Sequence, residues 1–136
     1  MDVRELTTET ERRAAVPILR QLWEHKSDEQ VFEWTGEAEY TLLGGFVDGD
    51  LVGVAGLVVQ SVLHHERHAW LYDLVVEKQH RENGHGSDLL AAVEQWAENH
   101  DCETIALASP LDKQDAHEFY EGREYERWGY LFEKPL

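Results

Sequence analysis

Apolar residues recur along this chain with two different periods, and the switches between them mark the elements. Val3 to Leu6 predicts a short first strand. The spacing then lengthens. Ala14, Ala15, Ile18, Leu19, Leu22 and Trp23 fall on one face of a helix, with Thr8 or Thr10 placed to cap it. Ser27-Asp28-Glu29-Gln30 predicts a second helix start, with Val31, Phe32 and Trp34 as its apolar part. Two apolar runs follow, Tyr40 to Val47 and Leu51 to Leu63. Asp48-Gly49-Asp50 between them is a hairpin signal, because Asp and Gly tolerate the left-handed angles of a tight turn. Ala69 to Val76 predicts another strand, with His64 to His68 as its polar connection. From Gly86 to Asn99 the helical period returns, carried by Leu89, Leu90, Val93, Trp96 and Ala97. Thr104 to Ala108 predicts a buried strand, Asp115 to Glu121 a short helix, and Arg127 to Phe132 a last strand.

The order is strand, two helices, three strands, helix, strand, helix, strand. It predicts an α/β fold whose sheet is largely antiparallel early, with one strand–helix–strand crossover between Trp70 and Ala108. The 136 residues suit one compact domain spanning 1–136, and no repeat, low-complexity tract or Pro/Gly/Ser linker divides them.

Charge narrows the possible partners. Twelve Lys and Arg stand against 28 Asp and Glu, a formal net charge of −16. Such a surface repels nucleic-acid backbones and anionic membranes, so neither is expected as a partner. The acids are spread over the whole chain, which predicts a solvated surface suited to a salt-rich, halophilic cytosol where screening reduces self-repulsion. Attraction of a cationic amine substrate is the alternative. No apolar run approaches the roughly 20 residues of a membrane-spanning helix, and Met1 to Glu5 lacks the basic and apolar regions of a signal peptide. A cytoplasmic location is therefore expected, and a single cysteine, Cys102, agrees with it.

The crossover carries the most informative residues. The strand ending at Val76 runs through Glu77 to His80 into Arg81-Glu82-Asn83-Gly84-His85-Gly86, and a helix begins. A helix start has unpaired N–H groups and partial positive charge, so it binds anions. Gly84 and Gly86 let the backbone approach a phosphate, and Arg81 adds a charged donor. The Walker loop needs Gly-x-x-x-x-Gly-Lys-Ser/Thr, which is absent. The dinucleotide fingerprint needs a third Gly or Ala where Leu89 stands, and it follows a first strand rather than a loop past mid-chain. Arg/Gln-x-x-Gly-x-Gly/Ala fits.

That pattern is the pyrophosphate loop of the GNAT superfamily of N-acetyltransferases, which this sequence resembles. Leu71-Tyr72-Asp73-Leu74-Val75-Val76 is similar to the family's fourth strand. Asp115-Ala116-His117-Glu118-Phe119-Tyr120-Glu121 is similar to its Ala-x-x-Phe-Tyr helix, and Tyr125 to Lys134 to its closing strands. The resemblance implies a mixed, mostly antiparallel sheet splayed between strands 4 and 5 and flanked by helices. It implies acetyl-CoA as acyl donor, with pantetheine paired to backbone groups of Leu74, Val75 and Val76, and pyrophosphate held by Arg81, Glu82, Asn83, Gly84, His85, Gly86 and Ser87. Two positions depart from the family. Glu82 stands where Gly often follows the Arg, so its carboxylate must point to solvent, and Glu124 stands where Gly usually precedes the closing aromatic.

An N-acyltransferase deprotonates an ammonium, polarises a thioester carbonyl and protonates a leaving thiolate. The resemblance places Tyr120 near the sulfur as general acid; a core tyrosine is the alternative. Asp73, in an otherwise apolar strand, is a candidate to bind the amine or take its proton through water; a satisfied structural carboxylate is the alternative. His64, His65 and His68 around Glu66 read as a solvated hairpin loop, and no metal is expected. Cys102 reads as a small residue entering a strand, His117 as a surface helix position, Trp34 as core, and Glu33 and Glu37 as solvent-facing.

The expected function is transfer of acetyl from acetyl-CoA to a primary amine, on a small molecule or a protein, by direct attack without a covalent enzyme intermediate. The alternative is a domain of the same fold that binds or senses acyl-CoA without turnover. A homodimer is left open. The acidity argues against RNA as acceptor.

Overall fold

Asp48 and Gly49 have φ of 52° and 85°, the pair of positive angles that a two-residue hairpin turn needs. They join β2 (Tyr40–Val47) to β3 (Asp50–Val62), and the rest of the sheet grows from this hairpin. The structure, a computed structural model, describes residues 1–136. It divides into two compact units, Met1–Ala106 and Leu107–Leu136.

In the first unit, β1 (Asp2–Glu5), β2, β3, β4 (Glu66–Val76) and β5 (Thr104–Ala106) form one sheet in that order. The first three pairings are antiparallel and β4–β5 is parallel, with α3 (His85–Asn99) in the crossover. α1 (Glu9–Arg20) starts at Thr8, whose side chain accepts from the Glu11 amide while Glu11 returns to the Thr8 amide. α2 (Asp28–Thr35) starts the same way with Ser27 and Gln30. These helices cover the sheet face bearing Leu42, Val54, Val58 and Val75, with Ala15, Val16, Ile18, Leu19 and Val31 packed into it. α3 buries Leu89, Leu90, Val93 and Ala97 against the opposite face, where Leu89 lies beside Gly53. No helix is long and apolar enough to cross a membrane.

β4 begins at Glu66, earlier than the pattern suggests, so His68 lies inside the strand and is buried rather than sitting in a solvated loop. Its partner is Gln60 on β3, which extends the ladder through the polar stretch.

The second unit holds α4 (Gln114–Glu121). Phe119, Tyr120 and Tyr125 pack ring to ring at 5.2 and 5.5 Å, and Arg127 donates to Glu121 through two nitrogens at 3.0 and 2.7 Å. The expected last strand over Arg127 to Phe132 does not form; residues 125–136 carry no strand or helix, and Tyr130, Leu131 and Phe132 are exposed. Aromatic residues favour a pleated surface, but a strand exists only with a neighbouring ladder, and Gly129 weakens the segment further.

Candidate active site

The chain leaves β4 with the Glu77 amide donating to the Val52 carbonyl at 2.8 Å and then makes a short turn over Lys78–His80. Gln21, just past α1, anchors that turn. Its Oε1 accepts from the Lys78 amide at 2.9 Å and from Arg81 Nη2 at 3.3 Å, while its Nε2 donates to Glu77 Oε1 at 3.1 Å. Arg81 Nε donates to the Val76 carbonyl at 2.9 Å. The guanidinium is thus held across the loop.

Glu82 is exposed, and its φ of 67° is left-handed. Glu124 has φ of 70°. Both positions where this sequence lacks the family's glycine therefore adopt the conformation that favours glycine. Gly84, with φ of 79°, is the residue before α3, and no side chain caps that helix. The Asp88 amide donates to the Gly84 carbonyl at 3.2 Å, so the first turn of α3, with its partial positive charge, lies at the place the sequence marks.

β4 pairs with β5 only through His68, Ala69 and Trp70. Leu71 to Val76 run on toward the loop without a strand partner on that side. On the β3 side, Leu57 pairs with Leu71 and Gly56 with Asp73, so Tyr72 is an extra, bulged residue. An uncapped helix start next to an open strand edge fits a ligand with an amide-bearing arm and a polyphosphate, as acetyl-CoA has.

Asp73 follows the bulge and is buried. Trp23 Nε1 donates to its Oδ1 at 2.6 Å and the Tyr40 hydroxyl to its Oδ2 at 2.7 Å. Burial pushes the carboxyl pKa up, and the two donors oppose that rise. Tyr40 is pushed up strongly by burial and by the Asp73 charge, so its hydroxyl remains a donor. Trp34 is half-exposed rather than core and lies 5.0 Å from the Tyr40 ring. Its outer edge stays in solvent because α2 presents Val31 and Thr35 to the core instead.

Tyr120 lies in the second unit, half-buried, and burial raises its phenol. His117 Nε2 lies 2.8 Å from the Pro110 carbonyl. Cys102 is half-buried with its thiol pushed up by burial, which suits a packed residue rather than a nucleophile. His65 Nδ1 and His68 Nδ1 lie 3.2 Å apart. Glu33 and Glu37 are exposed. The sequence reading missed Gln21, Trp23, Tyr40 and Gly56 as parts of this region. Their partners are distant in the chain, with Trp23 and Asp73 50 residues apart and Tyr40 and Asp73 33 apart, and no local period signals such pairs.

A five-stranded mixed sheet whose fourth strand ends in an open edge, followed by a glycine-led helix start, defines an acyl-CoA-type α/β acyltransferase scaffold. The model of the acetyltransferase (GNAT) family matches residues 3–125, and the chain belongs to that family. It is 26% identical over 139 residues to an uncharacterized N-acetyltransferase, YhdJ, of Bacillus subtilis (strain 168), covering 98% of both chains. It is 34% identical over 92 residues to an aminoalkylphosphonate N-acetyltransferase of Salmonella typhimurium (strain LT2), covering 65% of this chain and 58% of that protein. An aminoglycoside N-acetyltransferase solved in complex with CoA shares the fold at a TM-score of 0.84, with 18% identity over 99% of this chain and 93% of that one.

Proposed function

We propose that the 136 residues work as one domain that moves acetyl from acetyl-CoA to a primary amine by direct attack. The observation that carries this is the uncapped start of α3 at Gly84, continuous with the unpaired edge of β4. Amides of His85, Gly86 and Ser87 would hold the pyrophosphate together with Arg81, while the backbone of Leu74 to Val76 would pair with the pantetheine amides. Glu82 and Asn83 shape the turn between these two parts. A family match running from residue 3 to 125 spans both compact units and supports treating them as one functional domain.

Tyr120 takes the general-acid role that the family resemblance implies. A phenol whose pKa is raised by burial remains protonated at working pH and has a proton to give the leaving thiolate. The ammonium first gives a proton to water; the neutral nitrogen then attacks the thioester carbon, the C–S bond breaks, the thiolate takes the Tyr120 proton, and the second nitrogen proton returns through water to the Tyr120 phenolate. The acceptor is a small-molecule amine. Two similar proteins, an aminoalkylphosphonate and an aminoglycoside N-acetyltransferase, support a small-molecule amine.

The test is release of free CoA from acetyl-CoA in the presence of a panel of aminoalkylphosphonates, aminoglycosides and simple amines. Acceptor-dependent release is expected for at least one class. Tight acetyl-CoA binding without release by any amine would instead identify an acyl-CoA sensor.

A further inference from the structure

Asp73 stands where the sheet changes phase. On β3, Val58, Gly56 and Val54 share one face by the two-residue period of a strand, and α1 and α2 cover it. Their partners on β4 are Trp70, Asp73 and Val75. The step from Trp70 to Asp73 is three residues where a regular strand would take two, and Tyr72 is the residue that makes the difference. Without the bulge, Asp73 would pair opposite Ala55 and turn to the other face, against Leu89, Leu90 and Val93 of α3, which are all buried and apolar. A carboxylate there would have no donor.

With the bulge, Asp73 turns to the face where two donors wait. Trp23 reaches its Oδ1 from the turn after α1, and Tyr40 reaches its Oδ2 from β2. Tyr40 must cross β3 to do so, and it passes over Gly56, the residue paired with Asp73. A Cβ at position 56 would overlap the Tyr40 hydroxyl and ring, so only glycine lets the phenol through. Four elements therefore converge on one carboxylate at the bulge.

We infer that Trp23, Tyr40 and Gly56 hold Asp73 as a register lock on β4, making these residues positioning residues for the acyl donor. The inference rests on the acetyl-CoA reading of the open edge. In a strand, alternate residues turn their N–H and C=O to opposite edges. A one-residue slip at Tyr72 would reverse which backbone groups of Leu74, Val75 and Val76 face that open edge. The donor's amides would then meet the wrong partners. On this account each Asp73 oxygen accepts one of the bonds that fix the strand.

The test compares wild type with Tyr40→Phe and Trp23→Phe by amide hydrogen exchange and by acetyl-CoA titration. Each variant removes one donor to a charged acceptor. Exchange at Tyr72 to Val76 is expected to speed up about tenfold, while amides of Leu89 to Val93 keep wild-type rates. Acetyl-CoA affinity is expected to fall about fivefold in parallel. A general-base role without a lock would leave exchange and affinity unchanged and move only the acidic limb of the kcat profile. Wild-type exchange at Tyr72 to Val76 in both variants overturns the inference. Trp23 is half-exposed, so Trp23→Phe decides the matter if Tyr40→Phe does not fold. If wild type binds no acetyl-CoA, the proposed function fails, and the exchange data still show whether the lock exists.

Discussion

Glu82→Gly separates two costs at the proposed phosphate loop. The first is backbone strain. Glu82 sits at φ of 67°, where an L side chain costs about 1–2 kcal/mol relative to glycine. Glycine gives back roughly 0.5–1 kcal/mol through the greater freedom of its unfolded chain. The net gain is about 0.5–1 kcal/mol, read as a rise in Tm of about 2–4 °C for a domain of this size. The second cost is charge. For a solvated carboxylate taken at about 7 Å from a doubly charged pyrophosphate, screening over a Debye length of about 14 Å at 0.05 M salt leaves a weakening of binding of about threefold, and the effect vanishes near 1 M. Glu124→Gly is the control, because φ there is 70° and Glu124 lies outside the phosphate loop. Thermal melts should show similar gains for both variants. Calorimetric titration with CoA should show tighter binding for Glu82→Gly alone, and only at low salt. Equal CoA affinity for wild type and Glu82→Gly at 0.05 M would refute the placement of pyrophosphate at this loop. Loss of stability in both variants would refute the strain argument.

Tyr120→Phe should lower kcat about a hundredfold while acetyl-CoA affinity stays within about twofold, measured by steady-state turnover and titration; unchanged turnover removes the general-acid role. Asp73 has its carboxyl raised in the folded state, so the folded protein binds the proton more readily than the unfolded chain. Its contribution to stability is complete below the ordinary aspartate pKa of about 3.9 and is lost as pH rises through the raised value. Denaturation curves for Asp73→Asn should therefore lack the loss of stability that wild type shows over that window. A net charge of −16 with acids spread along the chain predicts a Tm that climbs by several degrees between dilute buffer and molar KCl. A Tm independent of salt would sink the salt-rich interpretation of that charge.

The local devices of this fold were legible in the residues alone because their causes are local. Asp48-Gly49 specifies its turn, Thr8 and Ser27 cap their helices, and Leu89, Leu90, Val93 and Ala97 form a stripe that can only be buried. The Arg81 to Gly86 segment announced the start of α3 for the same reason, since the turn and its glycines lie within one short stretch. That Glu82 and Glu124 stand where the family usually has glycine is visible in the sequence, but only backbone angles show that those positions still take the glycine conformation. The last strand failed because aromatic alternation over Trp128 to Phe132 states a preference and cannot supply a partner. The surroundings of Asp73 belong to tertiary structure entirely. Period-two counting along β4 puts Leu71, Asp73 and Val75 on one face, and one bulged residue undoes that count. Which face receives the carboxylate, and that Trp23 and Tyr40 meet it there, depends on sheet register and on the space left by Gly56. These are relations between segments far apart in the chain, and their energy exists only once the strands are paired.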